Sequence, residues 1–250
     1  MRTEEVVNKA LITSSADFKS LPRKELEAMA EAGHEVLEVH RILAKTGDNV
    51  VGELLRGADT FYEWDHYPSG DVYDRETHSQ YYYHAHPFEE RFDSEHGHFH
   101  TFLRPKGMPR GIKPAKVPGS TLPKDPNDHL SHLIAVTMDS GGLPFGLFTT
   151  NRWVTGEVWH KADDVIAMLD RFDIDHARPS WPVNRWISAL LVLFRPQIRE
   201  LILARDRFVQ DWARDGVSDE VFEDRNLEIT SMMRIDLQDQ VQKVGRALGV

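Results

Sequence analysis

Apolar side chains recur at helical spacing through residues 20–45, where Leu26, Met29 with Ala30, Gly33, Val36 with Leu37, His40, and Leu43 with Ala44 fall on one stripe. Ser20 can cap this segment, Pro22 suits its first turn, and Thr46-Gly47-Asp48 ends it, so a helix is expected over residues 20–45. A turn-rich stretch centred on Tyr67-Pro-Ser-Gly-Asp71 follows. The pattern then changes. Residues 80–86 and 96–103 are rich in aromatic side chains and are separated by a turn with Pro87 and several charges, which predicts two strands. Residues 133–138 and 145–151 read as two more, joined by the hairpin connection Asp139-Ser-Gly-Gly-Leu-Pro144, and a further strand is expected about residues 157–160. From Asp163 onward the spacing is helical: one helix runs from Asp163 to Phe172, a second from Pro182 to Phe194, and a third from Gln197 to Arg214 after a break or kink at Pro196. Ser218 to Leu248 completes the helical part.

Strands gathered in the middle with helices before and after predict an α+β fold. We expect a central antiparallel β-sheet or partial barrel, flanked by an N-terminal helix and several C-terminal helices. The expected organisation is a single domain over residues 1–250, with a β-rich core at 78–160 and a helical part at 163–248. Between the second and third strands, residues 104–128 hold six prolines and six basic side chains (Arg104, Lys106, Arg110, Lys113, Lys116 and Lys124) against Asp125 and Asp128. Proline at that density excludes helix and central strand, so a long basic loop is expected, placed to lie over or beside a site and help hold an anionic ligand.

Composition narrows the chemistry. The chain has 250 residues and no cysteine, which removes disulfides, thiolate metal sites and cysteine nucleophiles together. A net charge of −10 argues against nucleic acid as a partner. No apolar run is long enough to cross a bilayer, and the N-terminus lacks a secretory signal, so a cytoplasmic protein without membrane contact is expected. No dinucleotide fingerprint, P-loop or nucleophile elbow occurs. His34-Glu35-Val-Leu-Glu38 lacks the second histidine of a zincin helix, and Glu31-Ala-Gly-His34 has no second copy on another helix.

Histidine is where the sequence is unusual. Of 13 histidines, seven lie between residues 66 and 100: His66, His78, His84, His86, His96, His98 and His100. Alternation along a strand places His84 and His86 on one face, and His96, His98 and His100 on one face of the next. Same-face neighbours have α-carbons roughly 6.6 Å apart and the outer pair of a triplet roughly 13 Å. Two imidazoles at the smaller spacing can converge on one ion at about 2.1 Å each, with a third supplied by the partner strand. A hairpin centred on Arg91 sets His86 opposite His96 and His84 opposite His98, which would bring four imidazoles into one patch. Neutral imidazoles in such a patch lose a bound cation to protons below about pH 6.5. The metal candidates are therefore His84, His86, His96, His98 and His100.

His84-Ala-His86-Pro-Phe-Glu-Glu90 resembles the metal motif of the cupin family in its H-x-H-x-x-x-E order, and Pro144-Phe-Gly146 resembles the P-x-G of that family's second motif. The glycine ahead of the first motif is missing, and Thr149 stands where the second motif's histidine falls. The likeness is one of motif geometry, and no family is assigned from it.

Further candidates surround the strands. Arg152 could grip an anionic group in bidentate fashion, and Glu157 could act as an acid or base, which makes these two the catalytic candidates. All six tyrosines lie between Tyr62 and Tyr83. Of these, Tyr81 and Tyr83, with Arg152, are the substrate-binding candidates. The leading expectation is a metal-binding protein acting as an oxidoreductase or hydrolase on a small molecule, with iron or zinc as its ion. The alternatives are a carrier or sensor of metal or haem, and a small-molecule-binding module; homo-oligomerisation is open.

Overall fold

The computed structural model describes residues 4–118, 120–214 and 220–250, so residues 1–3 and Ser218 lie outside it. Six strands form one antiparallel sheet in the order of the chain: β1 (Tyr67–Tyr73), β2 (Ser79–His84), β3 (Glu95–Leu103), β4 (Ser131–Asp139), β5 (Pro144–Thr150) and β6 (Ile229–Arg234). The sheet does not close: β1 and β6 are its two edges. Eight α-helices accompany it among the described residues: α1 (Glu4–Ala10), α2 (Arg23–Ala44), α3 (Val50–Leu55), α4 (Arg152–Thr155), α5 (Ala162–Met168), α6 (Trp181–Leu193), α7 (Arg195–Arg214) and α8 (Leu237–Leu248). The fold is α+β, as the clustering of periodicities predicts.

Alternation along β2 and β3 sorts side chains onto two unlike faces. Tyr81, Tyr83 and Phe99 join the main core with Ile134, Val136, Leu147 and Met233, against α2, α6 and α7. Tyr81 Oη donates to Asn184 Oδ1 on α6 at 2.6 Å, and the Phe99 ring lies 5.5 Å from that of Trp186. The other face carries Gln80, Tyr82, His84, His98, His100 and Phe102, in the register His84↔His98 and Tyr82↔His100. Both faces are covered, since every residue of β2 is buried.

Several sequence expectations change. Helix α2 begins at Arg23 after Pro22, because Ser20 belongs to a separate 3-10 turn capped by Asp17. Residues 157–160 form no strand; Val158 N–H donates to Leu130 and Trp159 carbonyl accepts from Ala115, two isolated bonds that do not make a ladder. Strand β6 lies inside the stretch read as helical, and its partner is β5, far away in sequence. Local spacing cannot announce that pairing. The break read at Pro196 falls at Phe194 instead, between α6 and α7, and Pro196 lies in the first turn of α7, where no helical N–H is needed. Among the described residues, the loop at 104–128 is irregular apart from two 3-10 turns, with Lys106, Arg110, Lys113, Lys116 and Lys124 exposed. It is anchored by Met108 and Ile112 in the main core and by Ala115 and Val117 beside Trp159.

Candidate metal centre

The connection from β2 to β3 is short and pinned. Arg91 Nε donates to the His86 carbonyl at 2.7 Å, and Phe92 N–H donates to Glu95 Oε2 at 3.0 Å. These bonds fold residues 85–94 back over the end of the hairpin, so His86 continues the His84 face although β2 has ended. The imidazole rings of His84, His86 and His98 lie 4.5–5.2 Å apart, centre to centre. All three are buried, and each offers one nitrogen within 4.8 Å of the others, so this triad could hold a metal ion.

The atoms within the triad fit a cation. His84 Nε2 and His98 Nε2 face each other at 2.7 Å. Two nitrogens bound at about 2.1 Å to one tetrahedral ion lie about 3.4 Å apart, so an opening of under an ångström suffices. His98 Nδ1 is bonded to the Glu95 carboxylate, which only accepts. Nδ1 therefore carries the proton, and in the neutral ring Nε2 keeps its lone pair. A carboxylate behind a histidine is the arrangement that orients such ligands and raises their basicity. Thr137, the register partner of His98 on β4, has a buried hydroxyl without a hydrogen-bond partner among the described residues.

Glu95 reaches His98 because the strand is irregular. Residues 95 and 98 should point to opposite faces. The ladder to β4 pairs Glu95 with Asp139 and Gly97 with Met138, which leaves His96 as the extra residue of a bulge. The bulge reverses the alternation on its N-terminal side. Glu95 turns to the imidazole face, and His96 turns to the helix-covered face, where its Nδ1 meets Tyr83 Oη at 2.7 Å and its ring packs 5.4 Å from Phe61. His96 is thus corrected out of the patch, and the expected pairing of His86 with His96 does not form. A side chain at Gly97 would meet the His84 carbonyl at 2.5 Å and Tyr83 Oη at 2.6 Å, so the bulge requires glycine.

His100 extends the group. Its ring lies 4.9 Å from His98 and 5.3 Å from His84, while its Nδ1 points to His132 Nε2 at 3.0 Å. Burial, reinforced by the neighbouring imidazoles, holds His100 well below the usual value and favours its neutral form. His132 is pushed down to about 3, by burial first and then by the Arg205 charge. Sequence reasoning missed His132. His132 sits alone on β4 in sequence, and only pairing brings it beside Phe102.

The other candidates lie elsewhere. Glu157 is fully buried; its Oε2 accepts from His132 N–H at 2.7 Å, and its Oε1 has no partner among the described residues. Burial pushes its carboxyl up to about 7 against the opposing pull of Arg205. Arg152 is bonded to Glu223 and donates to the Glu157 carbonyl at 3.3 Å, so its guanidinium serves the α4 region. Tyr81 and Tyr83, the substrate-binding candidates, face the helices and pack in the main core, whereas alternation puts Tyr82 on the imidazole face. Trp64 and His66 join that face from outside the sheet. The Trp64 ring lies 4.3 Å from His86, and the His66 ring stacks on Tyr82 at 3.6 Å. Among the described residues, no helix is long and apolar enough to cross a membrane.

Residues 30–235 match the model of a family described as a domain of unknown function (DUF6969), and the chain belongs to that family. No curated protein and no solved structure matches it.

Proposed function

We propose that this protein binds a transition-metal ion, iron or zinc, through His84, His86 and His98, and that it is a metalloenzyme acting on a small molecule as a hydrolase or oxidoreductase. The observation that carries this reading is the convergence of three buried imidazoles whose nitrogens lie within 4.8 Å of one another, one of them backed by Glu95. Three histidines with a fourth position left over is the pattern of catalytic sites. An ion held there would polarise a substrate oxygen or lower the pKa of a bound water. The reading concerns an ion and not haem, because three nitrogens converge on one point.

A specific observation favours a second reading, a metal carrier or sensor. The His100 ring lies 5.3 Å from His84 and 4.9 Å from His98, against 5.1 and 5.2 Å for His86, and its turning from His132 would supply a fourth nitrogen and close the site. One experiment separates the two. Protein purified without an affinity tag and reconstituted with iron, zinc, copper or manganese should hold one ion per chain, and His84→Ala/His98→Ala should hold none. Azide added to the cobalt-substituted protein should alter its visible spectrum if a position is open; an unchanged spectrum supports the closed carrier. Negligible metal in the native chain after all four reconstitutions removes both readings.

A further inference from the structure

The rim of the candidate metal centre differs from the rest of the surface. Of the aromatic side chains more than half exposed among the described residues, Tyr62 (60%), Trp64 (54%) and Phe88 (76%) lie here, and Trp181 alone lies elsewhere. Carboxylates alternate with them: Glu63, Asp65, Glu89 and Glu90 are all exposed. Asp65 and Glu89 have no ion-pair partner among the described residues. The two segments form one patch. Trp64 N–H donates to the Ala85 carbonyl at 2.9 Å, and its ring lies 4.3 Å from His86. Arg91 ties them again, donating from Nη2 to Glu63 at 2.9 Å and from Nε to the His86 carbonyl at 2.7 Å. Trp64 holds a φ of 70°, costly for a bulky residue, so backbone strain accompanies an indole set half in solvent. Exposed apolar surface rimmed by charge marks an interaction site.

The complement to this patch stands on the same chain. Residues 106–124 hold five basic side chains and no acidic one. Lys106, Arg110, Lys113, Lys116 and Lys124 are exposed, and none is in an ion pair among the described residues. Met108 and Ile112 in the main core, with Ala115 and Val117 beside Trp159, hold the segment in place. Its charges are therefore presented by an anchored surface, which lowers the cost of docking. That anchoring also keeps the loop from its own chain's rim. It leaves β3 at Leu103, which pairs with Ser79 at the start of β2, whereas the rim lies past His84 at the other end. The intervening strand sets the two ends roughly 17 Å apart. Surfaces that attract and cannot meet within one molecule meet between two. A two-fold axis across the hairpin lays each loop on the other copy's rim, so the same contact forms twice. Guanidinium and ammonium groups gain there from both the carboxylates and the aromatic faces.

We infer that the chain pairs with a second copy of itself, the basic loop of each seated on the acidic, aromatic rim of the other. The pairing stands without the metal reading; only its consequence, a partner's lysines at the entrance to the imidazoles, rests on it. Sedimentation velocity on the full chain at low ionic strength tests it, and the native chain should run as a dimer. Arg110→Glu/Lys113→Glu/Lys116→Glu reverses the loop, and Asp65→Lys/Glu89→Lys reverses the rim. Each variant alone sets like charges together and should weaken pairing at least about tenfold. Mixed in equal amounts, the two should recover the dimer, because the reversed loop fits the reversed rim and the native loop fits the native rim. That rescue also shows that both variants are folded. Phe88→Ser should weaken pairing with no change of charge. His84→Ala/His98→Ala should lose metal and still pair; a native chain that pairs and takes up no metal leaves the interface standing while the metal reading falls. A native chain that stays monomeric, reversals without effect, or a mixture that remains monomeric overturns the pairing. A monomeric native chain that binds polylysine, and loses it on Asp65→Lys/Glu89→Lys, gives the rim to a different basic partner and overturns the pairing as well.

Discussion

His98 has two ring nitrogens with separate tasks. Nδ1 is bonded to Glu95, and Nε2 faces His84 at 2.7 Å. Removing the negative charge behind a metal-bound imidazole lowers its basicity, and such partners typically account for about 10–100-fold in metal affinity. Glu95→Gln keeps the size and an acceptor oxygen, so it should weaken metal binding about tenfold with little change in fold, as measured by competition with a calibrated chelator. His96→Ala should leave metal affinity unchanged, because that ring packs against Tyr83 and Phe61 on the other face. Loss of metal in His96→Ala would mean that the bulge is not the register in solution.

At the scale of the element, the hairpin of β2 and β3 is an instrument for placing imidazoles, and Gly97 is its narrowest point. A methyl group there collides with backbone and with a buried tyrosine, not with the end of a flexible side chain. Gly97→Ala must therefore part the strands or undo the bulge. Overpacking of this kind costs about 1–3 kcal/mol. We expect a lower denaturant midpoint together with a loss of stoichiometric metal, since both follow from the same displacement of Glu95 and His98. A variant with unchanged midpoint and metal content would show that the bulge is not needed.

At the scale of the molecule, the sheet's imidazole face continues into a second buried polar group around Glu157, whose ionisation couples to folding. The carboxyl titrates near 7 in the folded chain, against an ordinary value of 4.5. Between those values the folded state keeps a proton that the unfolded state releases. The stabilisation is present below pH 4.5 and is lost as pH rises through 7. His132 has the opposite sign: its folded value of about 3, below the ordinary 6.5, gives stability above pH 6.5 that is lost as pH falls towards 3. In a comparison of Glu157→Gln with the native chain the His132 contribution cancels. The variant should gain relative stability by up to about 1.4 kcal/mol per pH unit between pH 5 and 7, then level off. Denaturant unfolding across pH 5–8 in the presence of chelator measures this, and a flat difference would mean that Glu157 is solvated or paired.

The amino-acid sequence alone determined the α+β class, the positions of β2 to β5, and the region of the metal-binding candidates, because periodicity and residue type are local properties. Tyr82 was legible too, since alternation places it on the face of His84. What tertiary structure decided is everything that depends on pairing between distant segments. Strand β6 exists because β5 offers it an edge, Glu95 and His96 exchange faces because β3 bulges against β4, and His132 meets His100 only across that same ladder. A bulge is one extra residue in one strand, chosen by the fit of both strands. No single strand's spacing can contain it.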